Sequence, residues 1–231
     1  MNGILGMAGL LSETELSSEQ KTYLSAIDGS AHALLALIDE ILDFSKIEAG
    51  KLELAKAPFS LSSTVDGAVR LLAPRAREKG LTISFHPAEG LPPTVVGDQE
   101  RVRQIVLNLV SNAIKFTDVG SVSVHLSLEA GEDAAYVINV IDTGIGLLPE
   151  DISRLFREFE QADAALHRRN GGTGLGLAIS QRLARAMGGD ITANGAPGRG
   201  ATFTARLLLA KAPQADNEAS AAQTRLLAVE A

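Results

Sequence analysis

Residues 98–116 read DQERVRQIVLNLVSNAIKF, and this stretch decides what kind of domain the chain can form. Its apolar side chains recur at helical spacing, which predicts an amphipathic helix over the whole stretch with Asp98 as its cap. The opposite face carries Asn108, Asn112 and Lys115 at i, i+4 and i+7. Two amides and one amine therefore share a single side of the helix. The apolar stripe consists of Val102, Ile105, Val106, Leu109 and Ala113.

The polar face of this helix has the chemistry of a metal and phosphate site. Amide oxygens are hard ligands that suit Mg²⁺, and a lysine ammonium is a point charge for phosphate. The same three side chains also suit a solvated helix face, so the pattern alone leaves both interpretations open.

A short segment after a predicted strand has the chemistry of base recognition. It reads Asp142-Thr143-Gly144-Ile145-Gly146. A carboxylate at a strand end can accept a hydrogen bond from the exocyclic amine of a base, and the two glycines let the backbone approach the ring. A capped turn would have the same sequence, so this segment is also ambiguous by itself.

A glycine-rich run, GGTGLGL at residues 171–177, opens a predicted helix that ends at Gly188-Gly189. Small residues at a helix N-terminus expose backbone amides, which form a ready anion site. The glycine spacing is not that of a dinucleotide fingerprint, and the run lacks the Gly-Lys-Ser/Thr of a P-loop. Gly198-Arg199-Gly200, before the last predicted strand, is a weaker signal.

The remaining periodicity predicts an α+β fold. It is a two-layer α/β sandwich, with a mixed sheet and helices on one face, preceded by a helical hairpin. Antiparallel neighbours argue against a doubly wound sheet, because residues 129–135 are a short connection between two strands. The predicted strands are 81–86, 121–128, 136–142, 190–193 and 201–209; the further predicted helices are 60–78, a short piece around 152–159, and 173–187.

Residues 1–54 have the pattern of a helical hairpin, with a short first helix and one long helix over 17–49. Two adjacent heptad seams run along the long helix, as in a four-helix bundle whose other pair comes from a second copy. A hairpin that packs on its own domain is the alternative. One seam contains Leu24, Ile27, Ala31, Leu34, Ile38 and Ile41, and the other contains Tyr23, Ser30, Leu37 and Phe44.

Bulk properties exclude several classes. The formal net charge of −7 argues against a nucleic-acid partner, and the absence of cysteine excludes disulfides and thiolate chemistry. The four histidines are scattered without zinc-ligand spacing. Apolar runs are far shorter than a membrane span, which predicts no membrane segment in this chain. Residues 212–224 are small and polar, as in a linker.

The order of these motifs resembles that of sensor histidine kinases. NLVSNAIKF, DTGIGL, LFREFEQAD, GGTGLGLAIS and GRGATF are similar to that family's nucleotide-binding boxes, and NGILGMAGLL with ILDFSKIEAGKLEL is similar to its dimerisation domain. The resemblance implies a Bergerat-type ATP-binding domain at 58–211, a dimerisation and phosphoacceptor hairpin at 1–54, and a linker with the possible start of a receiver domain at 212–231.

The resemblance also implies roles for individual residues. Asn108 and Asn112 would hold Mg²⁺, Lys115 would contact phosphate, and Asp142 would accept from the adenine amine. Phe156 and Phe159 would anchor an ATP lid over 160–171, expected to be mobile without nucleotide. The full set implied for ATP is Asn108, Asn112, Lys115, Asp142, Gly144, Gly146, Phe159, Arg168, Gly172, Thr173, Gly174, Leu175, Gly176, Leu177 and Thr202.

Two departures qualify the resemblance. The family's phosphoaccepting histidine precedes the Asn-Gly-Ile-Leu-Gly motif, which here begins at Asn2, so we expect a truncated hairpin, a weak dimer and no self-phosphorylation. The lid has His167-Arg168 where the family has Thr-Arg. In this family, ATP and Mg²⁺ serve transfer of the γ-phosphoryl group to histidine in a cytoplasmic homodimer that signals to a response regulator or receiver domain. An inactive or regulatory ATP-binding module is the alternative.

Overall fold

The computed structural model describes residues 1–129, 135–158 and 174–212. The helices in these residues are α1 (Asn2–Ser12), α2 (Ser18–Glu48), α3 (Leu61–Glu78), α4 (Gln99–Phe116), α5 (Pro149–Ile152) and α6 (Gly176–Ala186). The strands are β1 (Ala57–Phe59), β2 (Thr82–Pro87), β3 (Val95–Gly97), β4 (Ser121–Glu129), β5 (Ala135–Asp142), β6 (Asp190–Gly195), β7 (Ala201–Leu208) and β8 (Ala210–Lys211).

The chain divides into two compact units. The first comprises Met1–Glu53 and Ser153–Arg182, and here α1 packs against α2 as the predicted hairpin. α2 begins with a capping box. The Ser17 hydroxyl accepts from the Gln20 amide at 3.2 Å, and Gln20 Oε1 accepts from the Ser17 amide at 2.8 Å. This reciprocal pair satisfies two amides at the helix start.

Large apolar side chains of the hairpin remain exposed. Ile27 and Ile41 of α2 are each 50% exposed, whereas Ala31 between them is only 5% exposed. The hairpin therefore buries only part of the predicted seam. The exposed members on both helices are Ile4, Met7, Leu10, Leu11, Tyr23, Ile27, Leu34, Ile38, Ile41 and Leu42.

The same unit contains a contact centred on Arg182 of α6. Its guanidinium lies over the Phe44 ring of α2, 4.8 Å from the ring centroid, and it also pairs with Glu158. A guanidinium over an aromatic face is attracted by the ring quadrupole. The contact thus joins α2, α6 and the segment before residue 159.

The second unit comprises Leu54–Ile152 and Leu183–Ala231, and its main feature is a five-stranded sheet in the order β2-β4-β5-β7-β6. β2 and β4 are parallel, and the other neighbours are antiparallel, so the sheet is mixed. α3 and α4 pack against it, as the α+β prediction requires. Val102, Ile105 and Leu109 of α4 are fully buried in this layer.

The sheet register separates a core face from a polar face. Val124, Val140 and Phe203 are aligned across β4, β5 and β7 and are buried. The next aligned row, His125, Asn139 and Thr204, lies on the opposite face because side chains alternate along a strand. This alternation decides which side chains of β5 and β7 accompany Asp142.

A second, three-stranded sheet, in the order β1-β3-β8, was not predicted from the sequence. Its strands have only two or three residues each, too short for a periodic signal. The short helix predicted around 152–159 also differs: it is α5, at Pro149–Ile152, and residues 153–158 form turns and a bend. Among the residues described, none of the helices combines the length and hydropathy needed to cross a bilayer.

Several predicted features lie outside the described residues. They are the lid over 160–171 with Phe159 and Arg168, the first glycine-rich positions Gly172 and Thr173, and the tail beyond residue 212.

Candidate functional site

The polar face of α4 brings its two asparagines together. Asn112 Nδ2 donates to Asn108 Oδ1 at 3.3 Å, and both side chains are half-buried. The helix is fixed at its start by Asp98, whose Oδ1 accepts from the Arg101 amide and whose Oδ2 accepts from the Ala55 amide, both at 3.0 Å. The two amides are therefore presented by a capped helix whose other face is core.

Lys115 lies one turn after Asn112 and is half-buried. Its Nζ is 4.9 Å from the centroid of the Phe116 ring. Burial lowers the pKa of Lys115 below its usual value, and the positive charge of Arg75 lowers it further. Arg75 comes from α3 and donates to Ser111 Oγ at 3.3 Å. An incoming anion would relieve the repulsion between these two cations, so this region is suited to a phosphate.

Asp142, the last residue of β5, is buried, with 6% of its surface exposed. Its Oδ1 accepts from the Gly144 amide at 2.9 Å and from the Ala201 amide at 3.3 Å. Burial raises the pKa of this carboxyl, and the two amides oppose the shift. Within the described part of the chain no donor reaches Oδ2, which leaves one carboxylate oxygen to accept from a ligand.

The turn after Asp142 is held against the segment before β7. The Gly198 amide donates to the Ile145 carbonyl at 2.7 Å, and the Gly200 amide donates to the Gly144 carbonyl at 3.1 Å. A Cβ on Gly146 would lie 1.9 Å from the Ala196 carbonyl oxygen. A Cβ on Gly200 would lie 1.9 Å from the Asp142 carbonyl oxygen. Both residues have a φ of 75°, so glycine is required for space and for conformation.

The same turn is joined to the end of α4. The Ile145 amide donates to the Phe116 carbonyl at 3.3 Å, and a Cβ on Gly144 would lie 2.3 Å from that oxygen. The predicted metal and phosphate face and the predicted base-recognition segment are therefore neighbours through backbone contact. Hereafter residues 142–146 are called the Asp142 turn.

Thr202, predicted to line the adenine pocket, lies on β7 directly after Ala201. Thr202 is aligned with Ile141 of β5 and Asn194 of β6, on the face opposite Asp142. Ala201 is buried on the Asp142 side and donates its amide to the carboxylate. Thr202 and Asp142 nevertheless both line one shallow depression, together with Ala201, Asn194 and Arg199. The β7 residue that touches Asp142 is thus Ala201.

The described glycine-rich residues belong to the first unit. Gly174 has a φ of 72°, Leu175 is buried, and Gly176 and Leu177 form the first turn of α6. The helix begins at Gly176, and the Leu175 carbonyl accepts its first hydrogen bond, from Ile179. These residues present a helix N-terminus, as the pattern predicted.

Sequence reasoning missed three contributors to the second unit's site. The Phe116 carbonyl and the Ala201 amide are backbone groups and carry no side-chain signal. Gly200 was noted only as part of a weak Gly-Arg-Gly pattern, although the Asp142 backbone passes too close to it for any Cβ. Only the spacing of Gly198 and Gly200 in the sequence could have indicated that the Asp142 backbone lies so close.

Two family models match the chain. Residues 97–211 match the histidine kinase-, DNA gyrase B- and HSP90-like ATPase family, and residues 1–50 match the His Kinase A (phospho-acceptor) domain. The first match includes α4, the Asp142 turn and β7. The second includes α1 and α2.

Curated proteins similar to this chain are named as histidine kinases or sensor proteins. The chain is 47% identical over 205 residues to the signal transduction histidine-protein kinase BarA of Escherichia coli K12, covering 88% of this chain and 22% of that protein. It is 47% identical over 220 residues to the sensor protein GacS of Pseudomonas syringae pv. syringae, covering 94% of this chain and 24% of that protein. The chain thus spans less than a quarter of these relatives.

Solved structures agree in fold. The crystal structure of full-length ShkA in complex with AMPPNP aligns with a TM-score of 0.77 and 39% identity, covering 91% of this chain and 43% of ShkA. The Acinetobacter baumannii histidine kinase AdeS aligns with a TM-score of 0.65 at 20% identity, over 90% of this chain and 94% of that one, which shows the shared fold. The chain belongs to the histidine kinases of two-component signalling, and it carries their core of a phosphoacceptor-type hairpin followed by an ATPase domain.

Proposed function

We propose that the ATPase domain of this chain binds Mg-ATP at the face formed by α4 and the Asp142 turn, and that it transfers the γ-phosphoryl group to a histidine. The observation that carries the proposal is the hydrogen bond from the Ile145 amide to the Phe116 carbonyl. It fixes a carboxylate suited to a purine amine beside a helix that carries two amides and a lysine. The similarity to ShkA, whose structure is a complex with AMPPNP, supports a nucleotide as the ligand.

Base recognition would rest on Asp142. Its Oδ2 accepts from the exocyclic amine of adenine, while Oδ1 remains bound to the Gly144 and Ala201 amides. Gly144 and Gly146 let the backbone lie close to the ring. Guanine offers a carbonyl where adenine has its amine, and that oxygen would repel the carboxylate. The site therefore selects adenine.

The donor set fits Mg²⁺ only together with nucleotide. Asn108 and Asn112 offer neutral amide oxygens, and the described residues contain no cluster of three or more metal-binding carboxylates, histidines or cysteines. Mg²⁺ prefers a few protein oxygens supplemented by substrate phosphates and water. When bound, the ion would neutralise charge on the phosphate oxygens. We therefore expect negligible Mg²⁺ binding in the absence of nucleotide.

Phosphate binding would use Lys115 and backbone amides. Lys115 would pair with phosphate as a point charge. Gly174, Leu175, Gly176 and Leu177 keep the role of backbone donors that the family resemblance implies. Phe159, Arg168, Gly172 and Thr173 keep the roles implied by the family resemblance, as proposals based on sequence.

In the proposed reaction, an imidazole nitrogen forms a bond to the γ-phosphorus while the bond to the bridging oxygen of ADP breaks. The imidazole is itself the nucleophile, so the ATPase domain contributes positioning and charge neutralisation. A water-activating base is not needed. In a hydrolase of the same fold, a glutamate at the position of Asn108 would take a proton from the attacking water. The amide of Asn108 cannot act as such a base.

The proposed partners are a second copy of this chain and a response regulator or receiver domain. The exposed apolar residues of α1 and α2 fit a bundle completed by a second hairpin. BarA is named as a signal transduction histidine-protein kinase and GacS as a sensor protein, which supports a role in signalling. The second candidate function is a regulatory ATP-binding module, because His32, the one histidine in residues 1–50, lies exposed on α2 beside Asp28.

Incubation of the 231-residue polypeptide with γ-labelled ATP, alone and with a separate phosphoacceptor domain from a similar kinase, separates these functions. We expect label on the added domain only, acid-labile and base-stable as a phosphoramidate is. Label on the polypeptide with that stability would identify one of its own histidines as the acceptor. Nucleotide binding without label on either protein would favour the regulatory module.

A further inference from the structure

Lys79 is the residue that caps α3, yet its ammonium group is directed at the end of α4. Nζ donates to the carbonyl oxygens of Ile114 at 2.9 Å, Lys115 at 3.0 Å and Thr117 at 3.1 Å. A lysine ammonium has three hydrogens, so these three carbonyls use its full donor capacity. The side chain also lies 3.8 Å from the exposed carboxylate of Asp118.

The position of Lys79 is itself fixed. The last turn of α3 is closed by the Leu81 amide, which donates to the Ala76 carbonyl at 2.9 Å, and by the Gly80 amide, which donates to the Arg77 carbonyl at 2.8 Å. Such a closed end holds the residue between these hydrogen bonds in one place. Lys79 therefore reaches α4 from a rigid base.

The end of α4 needs such a partner. A helix leaves its last four carbonyls without intrahelical donors. Thr117, which follows α4, is extended at φ −107° and ψ 119°, so no left-handed residue closes the helix. Thr117 Oγ1 donates to the Ala113 carbonyl at 2.7 Å, and Lys79 donates to the Ile114 and Lys115 carbonyls. The Phe116 carbonyl accepts from the Ile145 amide of the Asp142 turn.

The carbonyls of Lys115, Phe116 and Thr117 are consecutive and have two kinds of donor. Lys79 holds the carbonyls on either side of Phe116, because it binds those of Lys115 and Thr117. The carbonyl between them is the one that holds the Asp142 turn. A displacement of this backbone would move the Phe116 oxygen and, with it, Ile145 and Gly144. Lys115, whose side chain we assign to phosphate, belongs to the same turn of helix.

We propose that Lys79 is a positioning residue for the nucleotide site: it fixes the last turn of α4 and thereby the distance between the Asp142 turn and the amides of α4. This inference rests on the proposed function for its consequence in binding, but not for the coupling itself. Lys79 is not a phosphate ligand, since its three hydrogens already point to carbonyls. A further cationic contact with ATP is not required of it.

Amide hydrogen exchange in the nucleotide-free protein tests the coupling directly. Lys79→Met should accelerate exchange of the Ile145 amide while exchange of the Ile138 amide in the middle of β5 is unchanged. Arg77→Met is the matched control, since it removes an exposed cation from the same end of α3. Lys79→Gln, which keeps two N–H donors, should accelerate exchange less than Lys79→Met does. Equal protection of Ile145 in all four proteins would overturn the proposal.

Calorimetry with ADP and with adenosine then tests the consequence, at a temperature where circular dichroism shows each variant folded. We expect Lys79→Met to lose about tenfold in affinity for both ligands, because the Asp142 turn is misplaced. A loss confined to ADP would identify a phosphate contact instead. A lower melting temperature with unchanged affinity would make Lys79 a stabilising cap only. If the wild-type chain binds neither ligand, the proposed function fails, whereas the Ile145 exchange result still decides the coupling.

Discussion

The backbone amide of Ala201 donates to Asp142 Oδ1 over 3.3 Å, so the first residue of β7 helps to hold a buried carboxylate at the end of β5. Together with the Gly144 amide, it satisfies one oxygen of the pair. No donor from the described residues reaches the other oxygen, which we propose accepts from a ligand. Folding therefore uses one oxygen of the Asp142 carboxyl group, and the proposed binding uses the other.

Asp142→Asn should separate the effect of this group on stability from its effect on binding. The amide oxygen can still accept from Gly144 and Ala201, and removal of a buried charge should raise the free energy of unfolding at pH 7. Affinity for ADP should fall by about 1.5–3 kcal/mol, because an amide NH₂ would face the adenine amine. Thermal unfolding and calorimetry measure the two effects. Glu89→Gln, which neutralises an exposed carboxylate, is the control and should change neither.

The stability of the protein and its affinity for ADP should depend on pH with opposite signs. Burial raises the pKa of Asp142 above 3.8, so the folded state takes up a proton more readily than the unfolded state. The contribution of this group to stability is then full below pH 3.8 and is lost as the pH rises through the folded pKa. ADP affinity should instead fall as the pH decreases through that pKa. A calorimetric series that is flat for wild type, or equally steep for Asp142→Asn, would contradict the assignment.

Asn112→Ala should weaken Mg-ADP binding by ~1.5–3 kcal/mol, and most of the loss should disappear when Mg²⁺ is withheld. The reason is that the amide oxygen contributes only when the metal is present with phosphate. Calorimetry with and without Mg²⁺ checks this. Arg103→Ala, on an exposed position of the same helix, is the control. Equal affinity of Asn112→Ala and wild type in Mg²⁺ would remove Asn112 from the site.

Gly200→Ala and Gly198→Ala form a matched pair. Both glycines have a positive φ, 75° and 71°, so alanine is strained at either position. Only at Gly200 would the new Cβ meet backbone, 1.9 Å from the Asp142 carbonyl oxygen; at Gly198 nothing lies within 4 Å. We expect Gly198→Ala to cost about 1–2 kcal/mol of stability and to leave ADP binding intact. Gly200→Ala should cost more and abolish binding. Similar results for the two variants would argue against the close approach.

Tyr136→Phe should stabilise the second unit or leave its stability unchanged. The Tyr136 side chain is 1% exposed, and its hydroxyl has no hydrogen-bond partner in the described residues. A buried unsatisfied hydroxyl costs about 1–3 kcal/mol, so its removal should not be harmful. Denaturant unfolding at neutral pH measures the change. A clear loss of stability would reveal a partner for this hydroxyl.

Association of two chains can be tested on α2. Ile27→Glu places a charge in the exposed seam and should shift sedimentation toward the monomer. Ser25→Glu adds the same charge to an exposed position outside the seam and should not. If both variants and wild type sediment identically over a range of concentrations, the seam is not a dimer interface.

Long periodic elements were predictable from the sequence. Asp98 caps α4 as its position indicated, and the antiparallel pair β4 and β5 follows from alternation and a short connection. The β7 neighbour of Asp142 was less accessible: Thr202 was predicted to line the adenine pocket, and the amide that reaches Asp142 belongs to Ala201, one residue before it and on the other face of the sheet. Main-chain contacts, such as that of the Ile145 amide with the Phe116 carbonyl, could not be predicted because they do not depend on side-chain chemistry.

The short β1-β3-β8 sheet has a mechanical consequence. β1 begins where the chain enters the second unit, and β8 lies near the end of the described residues; both strands flank β3, through three and two aligned residue pairs. Tension applied between residues 57 and 211 would load these few pairs first. These pairs should open before the longer ladders of the five-stranded sheet, in which β4 and β5 alone share eight aligned pairs. The domain thus contains a mechanically weak part that is separate from its proposed nucleotide face.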